Sequence, residues 1–530
     1  MPFAFIILQL DNFLFSNLVL YPLTMALNSV FSWFMKKRFH QIELFMKYPV
    51  EVQNELFERL IDTAKDTEWG RKYDYAGIRS QRTYHERVPL QTYEDVKPYV
   101  SRLQKGEQNL LWPTEINWFA KSSGTTSDKS KFIPVSREAL EGCHYKGGKD
   151  LLAVYNYNHP NNGLYNGKSL VLGGSSQINQ FRKDSYSGDL SAIIINNLPL
   201  WVEMKRIPDR SIALMDNWEE KIERMAESVK DENVTNMAGV PSWTLVLLKR
   251  VLELKGKKTI HEIWPNLELY IHGGVNFTPY REQFDRIIGS NKMNYYDSYN
   301  ASEGYFGIQD RSNADDMLLM LDYGIYYEFI RASESHDENP RIVSLSEVEI
   351  GENYEIVIST NSGLWRYRIG DTVSFTSKFP FRIRVTGRTK HFINAFGEEL
   401  IIDNAEKALS KACKECDCSI VDYTAGPVYM SHEGTGGHEW LVEFDRAPEN
   451  LETFAAILDN ELKKLNSDYE AKRTGDLTLR FPLVKKVPTK TFYNWLKNQG
   501  KLGGQHKVPR LANNRKFLDE IGEMLVQETV

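Results

Sequence analysis

Apolar residues recur along this chain with two periods, and each period predicts its own elements. Trp218, Ile222, Met225 and Val229 fall at helical spacing, as do Phe454, Leu458, Leu462 and Leu465, so helices are expected there, the second over 451–466. Short runs with β character are Leu170-Val171-Leu172, Leu267 to Ile271 and Tyr354 to Ser359. Glycine or polar loops follow several of them, as in Gly173-Gly174-Ser175-Ser176 and His272-Gly273-Gly274. Apolar strands alternating with helices predict an α/β fold, in which ligand loops gather at the strand ends.

The texture changes after about residue 386. Trp440-Leu441-Val442-Glu443-Phe444 alternates in and out, the 451–466 helix follows, and Leu477 to Phe481 reads as a further strand. Strand, helix and strand predict a small α+β domain packed on the end of a larger one. The expected division is a large N-terminal α/β domain over 1–386 and a small C-terminal domain over 387–530. Thr386-Gly387-Arg388-Thr389-Lys390 lies at the join, and a hinge is expected near 387–390 because glycine followed by polar residues suits one. A plain turn would carry the same residues.

Length and charge bound the picture. At 530 residues the chain is too long for one simple core. Its net charge of −6 comes from 65 basic and 71 acidic residues, a balance that gives no general attraction to nucleic acid. Four cysteines make no disulfide framework, which points to a reducing compartment and a cytoplasmic protein. Cys413, Cys416 and Cys418 cluster, but no nearby Cys or His completes a zinc set, so they read as a helix end and loop after a helix over Glu406 to Ala412. Residues 1–35 are rich in Phe, Leu and Val, yet Asp11-Asn12 and Pro22 interrupt the run and no basic residue precedes it. An amphipathic pattern starts at Met25, which is the expected native start, with 1–24 outside the native protein and no membrane span. No coiled-coil seam is present, and a monomer is expected.

Four runs carry candidate chemistry. Ser122-Ser123-Gly124-Thr125-Thr126, continuing to Lys131, has the hydroxyls, glycine turn and lysines that wrap phosphate oxygens. It is not a Walker A loop, since the second glycine before Lys129 is missing, and a flexible polar loop would have the same composition. Tyr299-Asn300-Ala301-Ser302-Glu303-Gly304 offers a carboxylate for Mg²⁺ and an aromatic face for a purine, or a capping glutamate beside a buried tyrosine. Gly363 to Asp371 reads as a strand that sends Trp365, Tyr367 and Ile369 one way and Arg366 and Arg368 the other. It ends at Gly370-Asp371, where a carboxylate can bridge ribose hydroxyls or simply turn the chain. Near the C-terminus, Lys507 stands between a flexible Gly503-Gly504 and a stiff Val508-Pro509, placed for delivery by a moving loop, or as an ordinary surface lysine.

Taken in order, Ser-Ser-Gly-Thr-Thr, Tyr-x-Ala-Ser-Glu, Tyr-Arg-Ile-Gly-Asp, Gly-Arg and Lys-Val-Pro-Arg resemble the Gretchen Hagen family of acyl acid amido synthetases, within the adenylate-forming superfamily. The resemblance runs from about Met25 to the C-terminus. It implies a large adenylate-forming domain with a smaller mobile C-terminal domain, using ATP and Mg²⁺. It assigns Ser122, Ser123, Gly124, Thr125 and Thr126 to the ATP phosphates, Glu303 to Mg²⁺, Tyr299 to adenine and Asp371 to the ribose hydroxyls. Ser302 and Arg388 join the nucleotide set, and Lys507 approaches the reacting carboxylate and α-phosphate. Asp128 replaces a residue that is often glycine in the family, and Asn300 one that is usually small, which leaves the neighbouring contacts open.

The reaction so implied adenylates a carboxylic acid and passes the acyl group to an amine, an amino acid by expectation. An acyl-CoA synthetase would share the first step, and a nucleotide-binding paralogue without catalysis would keep the fold. The acid is expected between the Gly239–Leu248 segment, with Trp243, and the strand end at Gly273-Gly274, where the apolar and aromatic lining suits a hydrophobic acid.

Overall fold

A computed structural model describes residues 37–123, 130–173, 179–182, 184–198, 200–215, 217–275, 277, 280–335, 337–388, 392–430, 435–476, 478–499 and 509–527. The apolar periods become the expected helices. Trp218–Val229 starts where the Asn217 side chain accepts the Glu220 N–H, and buries Ile222, Met225 and Val229. Leu451–Leu465 starts at Asn450 in the same way and buries Phe454, Leu458 and Leu462.

The molecule is organised by a 12-stranded sheet. One half is parallel: Arg206–Ile207, Lys168–Val171, Val234–Ala238, Leu269–Gly273 and Asn294–Ala301 lie side by side in that order. Helices Trp218–Val229 and Pro241–Lys255 supply crossovers between these strands, as parallel pairing requires. The other half is antiparallel and continues through Gly304–Ile308, Met317–Leu319, Phe381–Arg388, Tyr367–Lys378, Asn353–Thr360, Ile325–Arg331 and Ile342–Ser344. The change of direction falls at the hairpin Asn294–Ile308, so the loops at its tip sit where the two kinds of sheet meet. A 4-stranded sheet carries Trp118–Ser123 at its centre, between Ser130–Val135 and Ser185–Asp189.

Beyond residue 392, a 3-stranded sheet of Ser419–Val428, Gly437–Arg446 and Leu483–Val487 packs with helices Ile402–Glu415 and Leu451–Leu465. Three expectations change here. The third strand lies at Leu483–Val487 and not over 477–481, because Pro482 interrupts the run; Leu479 makes only an isolated bridge to Gly436. The helix expected over 406–412 spans Ile402–Glu415, so Cys413 belongs to it and Cys416 caps it. The helix expected to end at 466 ends at Leu465, where Asn466 turns to cap the next helix, Ser467–Arg473.

One apolar cluster takes in Trp243, Tyr280 and Phe284 from the large part, and Ala395, Phe396 and Met430 from the later one. Tyr280 Oη donates to the Ala395 carbonyl at 2.6 Å, and Gln283 Nε2 to that of Met430 at 2.6 Å. Among the described residues no helix is long and apolar enough to cross a membrane.

Candidate active site

Two sequence runs on strands of the large sheet meet through their side chains. Strand Asn294–Ala301 turns back at Ser302-Glu303 into Gly304–Ile308, with Ala301 opposite Gly304. The turn is tight: a Cβ on Gly304 would stand 2.5 Å from Ile325 Cδ1. Ser302 and Glu303 are half-buried at its tip, and Tyr299 points into the core, its ring 4.9 Å from that of Phe306.

The run around Asp371 folds differently from expectation. Gly363 to Arg366 forms a turn, with Gly363 and Arg366 both at positive φ, so the alternation predicted through Trp365 and Arg366 fails there. The strand starts at Tyr367 and continues past Asp371 to Lys378. It is no solvated edge, being flanked by Asn353–Thr360 and Phe381–Arg388. Asp371 sits at an irregularity in this strand: the register slips between Glu355 and Val357, and Gly370 takes φ +85° just before it. Such a bulge re-aims a side chain out of the ladder.

On its other side Asp371 pairs in register with Arg388. Arg388 Nε donates to Asp371 Oδ1 at 2.7 Å and Tyr299 Oη donates to Oδ2 at 2.6 Å, so the two carboxylate oxygens are fixed from opposite directions. Arg388 also reaches Glu399 at 3.3 Å and lies over the Phe392 ring. Burial alone would weaken the Arg388 proton, but Glu399, Asp371 and Glu303 more than restore it, and the group stays a fixed cation. Burial and the Asp371 charge hold the Tyr299 hydroxyl neutral. Burial raises the Glu303 carboxyl and Asp371 adds to that, against Lys131 and Arg388.

Tyr367 and Glu399 join this site without having been candidates from the sequence, and Lys131 is the last residue of the hydroxyl- and lysine-rich run. Lys131 is the register partner of Ser122, which brings the hydroxyl-rich strand end within electrostatic reach of Glu303. Tyr367 is buried, and its hydroxyl feels Glu303, Asp371 and Arg388. The sign available in the sequence for Tyr367 was its place four residues before Asp371. Glu399 follows a Gly397-Glu398 step with no comparable sign.

The remaining candidates are distributed as follows. Ser122 and Ser123 end the strand Trp118–Ser123, while Gly124, Thr125 and Thr126 lie outside the described residues. Lys507 also lies outside them. Trp243 is buried on helix Pro241–Lys255 with Lys472 Nζ 5.1 Å from its ring centroid. Gly273 ends its strand opposite Ser298, where a Cβ would stand 2.4 Å from the Ser298 carbonyl oxygen, and Gly274 turns away at φ +80°. Asn394 Nδ2 donates to the Gly274 carbonyl at 3.2 Å, so this strand end also faces the segment after residue 392. Arg366 and Arg368 turn to buried carboxylates, Arg366 to Glu328 at 3.0 Å and Arg368 to Glu355, and serve the fold.

Comparison with known proteins gives three matches along the chain. The GH3 family N-terminal domain matches residues 38–293, the GH3 family central domain 318–388 and the GH3 family C-terminal domain 403–516. An indole-3-acetic acid-amido synthetase, GH3.3 of Arabidopsis thaliana, is 24% identical over 90% of this chain and 91% of its own. A jasmonoyl–L-amino acid synthetase, GH3.5 of Oryza sativa subsp. japonica, is 23% identical over 92% and 97%. Among solved structures, the GH3.15 acyl acid amido synthetase shares the fold with a TM-score of 0.59 at 18% identity, over 92% of this chain and 96% of that one.

Proposed function

Because this chain belongs to the GH3 family, we propose that it is an ATP-dependent acyl acid amido synthetase, which adenylates a carboxylic acid and transfers the acyl group to an amine. The observation that carries the reading is the joining of Tyr299, Asp371 and Arg388, with Glu303 beside them, from motifs 72 residues apart. A stabilising core pair has no need of a half-buried carboxylate left next to a second one.

In the first half-reaction a carboxylate oxygen of the acid attacks the α-phosphorus of ATP, an O–P bond forms, and the bond to pyrophosphate breaks. In the second, an amine attacks the acyl carbon and AMP leaves with the C–O bonding pair. The first step brings two anions together, so the enzyme's task is to hold them and offset their charge. Ser122 to Thr126 would line the phosphates. Asp371 would accept the ribose hydroxyls: among the described residues each of its oxygens takes one hydrogen bond and retains a further lone pair. Arg388 and Tyr299 keep that carboxylate oriented, and Lys507 would reach the reacting carboxylate and α-phosphate.

Glu303 suits a divalent cation, since burial and Asp371 raise its carboxyl against Lys131, a backbone N–H and Arg388. Mg²⁺ held there would lend positive charge to the phosphate oxygens. The relatives' names include both indole-3-acetic acid and jasmonic acid derivatives, so membership supports a small hydrophobic acid and an amino acid acceptor without fixing either. We place the boundary between a large and a small domain near 387–390, and the protein as a cytoplasmic monomer.

The test is pyrophosphate release from Mg-ATP with a pool of carboxylic acids, run alone, with amino acids and with CoA. Acid-dependent release that rises with amino acids, with an amide as product, is the expected result. A rise with CoA alone would reassign the chain to thioester formation.

A further inference from the structure

Behind the Arg388–Glu399 pair lies a second charged cluster that adenylation does not use. Helix Ser467–Arg473 lays Lys472 over the Trp243 ring and alongside Gly397, where a Cβ would stand 3.6 Å from Lys472 Nζ. Asp468, one turn earlier, faces the same space: Lys472, Glu399, Asp189 and Lys121 all act on its carboxyl, and it is half-buried. Burial lowers the Lys472 ammonium, and Asp468, Asp189, Glu398 and Glu399 act against that.

The partners of these carboxylates differ. Glu398 takes the His438 ring at 2.8 Å and the Phe396 N–H at 2.7 Å, and Glu399 takes Arg388. Asp and Lys four apart on a helix ordinarily pair. Here, among the described residues, the Asp468 carboxylate and the Lys472 ammonium make no hydrogen bond or ion pair, with each other or elsewhere, and Lys472 leans on Trp243 instead. A carboxylate and an ammonium one helical turn apart without being joined, both half-buried and within electrostatic reach of Glu399, complement a zwitterion.

We propose that Asp468 and Lys472 form the acceptor site, Lys472 taking the carboxylate of an α-amino acid and Asp468 accepting a proton from its ammonium. This rests on the amido synthetase reading above. One N–H proton passes to an Asp468 oxygen, and the freed lone pair forms the C–N bond at the acyl carbon. The C–O bond to the AMP phosphate breaks with its electron pair, and the second proton leaves the nitrogen for that phosphate or for solvent. Burial pushes Asp468 up to about 6, with Glu399 and Asp189 reinforcing it against Lys472 and Lys121, which makes it a stronger base than an ordinary carboxylate.

The experiment uses the full chain with ATP and the acid identified by pyrophosphate release, and compares two acceptors. One is an equimolar pool of the proteinogenic amino acids. The other is hydroxylamine, which has no carboxylate and is uncharged near neutral pH. Asp468→Asn is expected to slow single-turnover transfer to amino acids about a hundredfold, with hydroxamate formation and acid-dependent ATP–pyrophosphate exchange close to wild type. Its transfer rate should also lack the decline that the wild type shows as pH falls through about 6. Lys472→Met should raise the amino acid KM about tenfold or more and leave that for hydroxylamine unchanged. Equal losses with both acceptors would mean a structural role and overturn the proposal, as would unchanged amino acid transfer in both variants while exchange persists. A wild type without any exchange would instead overturn the parent reading, and this one with it.

Discussion

The two charged clusters on either side of Glu399 are built on opposite plans. Around Asp371, each carboxylate oxygen has its own donor, at 2.7 Å from Arg388 and 2.6 Å from Tyr299, and both donors stand on strands of the same large sheet. Asp468 and Lys472, by contrast, sit one turn apart on a 7-residue helix and, among the described residues, their charged groups make no hydrogen bond or ion pair. A group that must hold a ligand in one orientation gains from being fixed in advance, since misplacement of a reacting atom by about 1 Å can cost a hundredfold in rate. A group that must exchange a proton gains from having no resident partner. Under the proposed assignment, rigid pairing marks the nucleotide side, and unpaired charge the acceptor side.

Substitutions should separate the sides, and the largest effects belong to the first. Glu303→Gln keeps the shape of the hairpin tip but removes the charge that suits Mg²⁺; acid-dependent ATP–pyrophosphate exchange should fall about a thousandfold. Asp371→Ala removes the carboxylate that Tyr299 and Arg388 hold, and the exchange rate should fall about a hundredfold with a raised KM for ATP. Arg388→Lys cannot span Asp371 and Glu399 with one planar fork. It should cost exchange about tenfold, and because Glu399 also acts on Asp468, transfer to amino acids should slow as well. Tyr299→Phe deletes one hydrogen bond to a carboxylate that keeps its other donor, worth about 1 kcal/mol, or about fivefold in exchange. Were Tyr299→Phe as damaging as Asp371→Ala, the tyrosine would be touching the nucleotide itself and not acting through the carboxylate.

Much of this was legible in the sequence where chemistry and local geometry coincide. The helices at 218–229 and 451–465 follow from four apolar positions each, to which the structure adds a capping asparagine. Glu303, Asp371 and Arg388 stand in motifs whose order resembles one family, and the sheet brings them together. What failed was geometry that depends on neighbours. The strand expected to run from Gly363 and end at Asp371 instead begins at Tyr367, because Arg366 takes positive φ to reach buried Glu328. Register with Ser122 places Lys131, the end of the hydroxyl-rich run, within reach of Glu303, and Asp468 and Lys472 join only because helix Ser467–Arg473 packs against Trp243. No spacing along the chain announces a contact between residues 243 and 472.

The central claim is that an acyl-adenylate made here is consumed by an amine. Its most direct test is to run the wild-type chain with Mg-ATP and a responsive acid, add amino acids or CoA in separate reactions, and identify the acyl product by mass. The account predicts an N-acyl amino acid with one AMP released per amide formed. An acyl-CoA thioester as the sole product would contradict it.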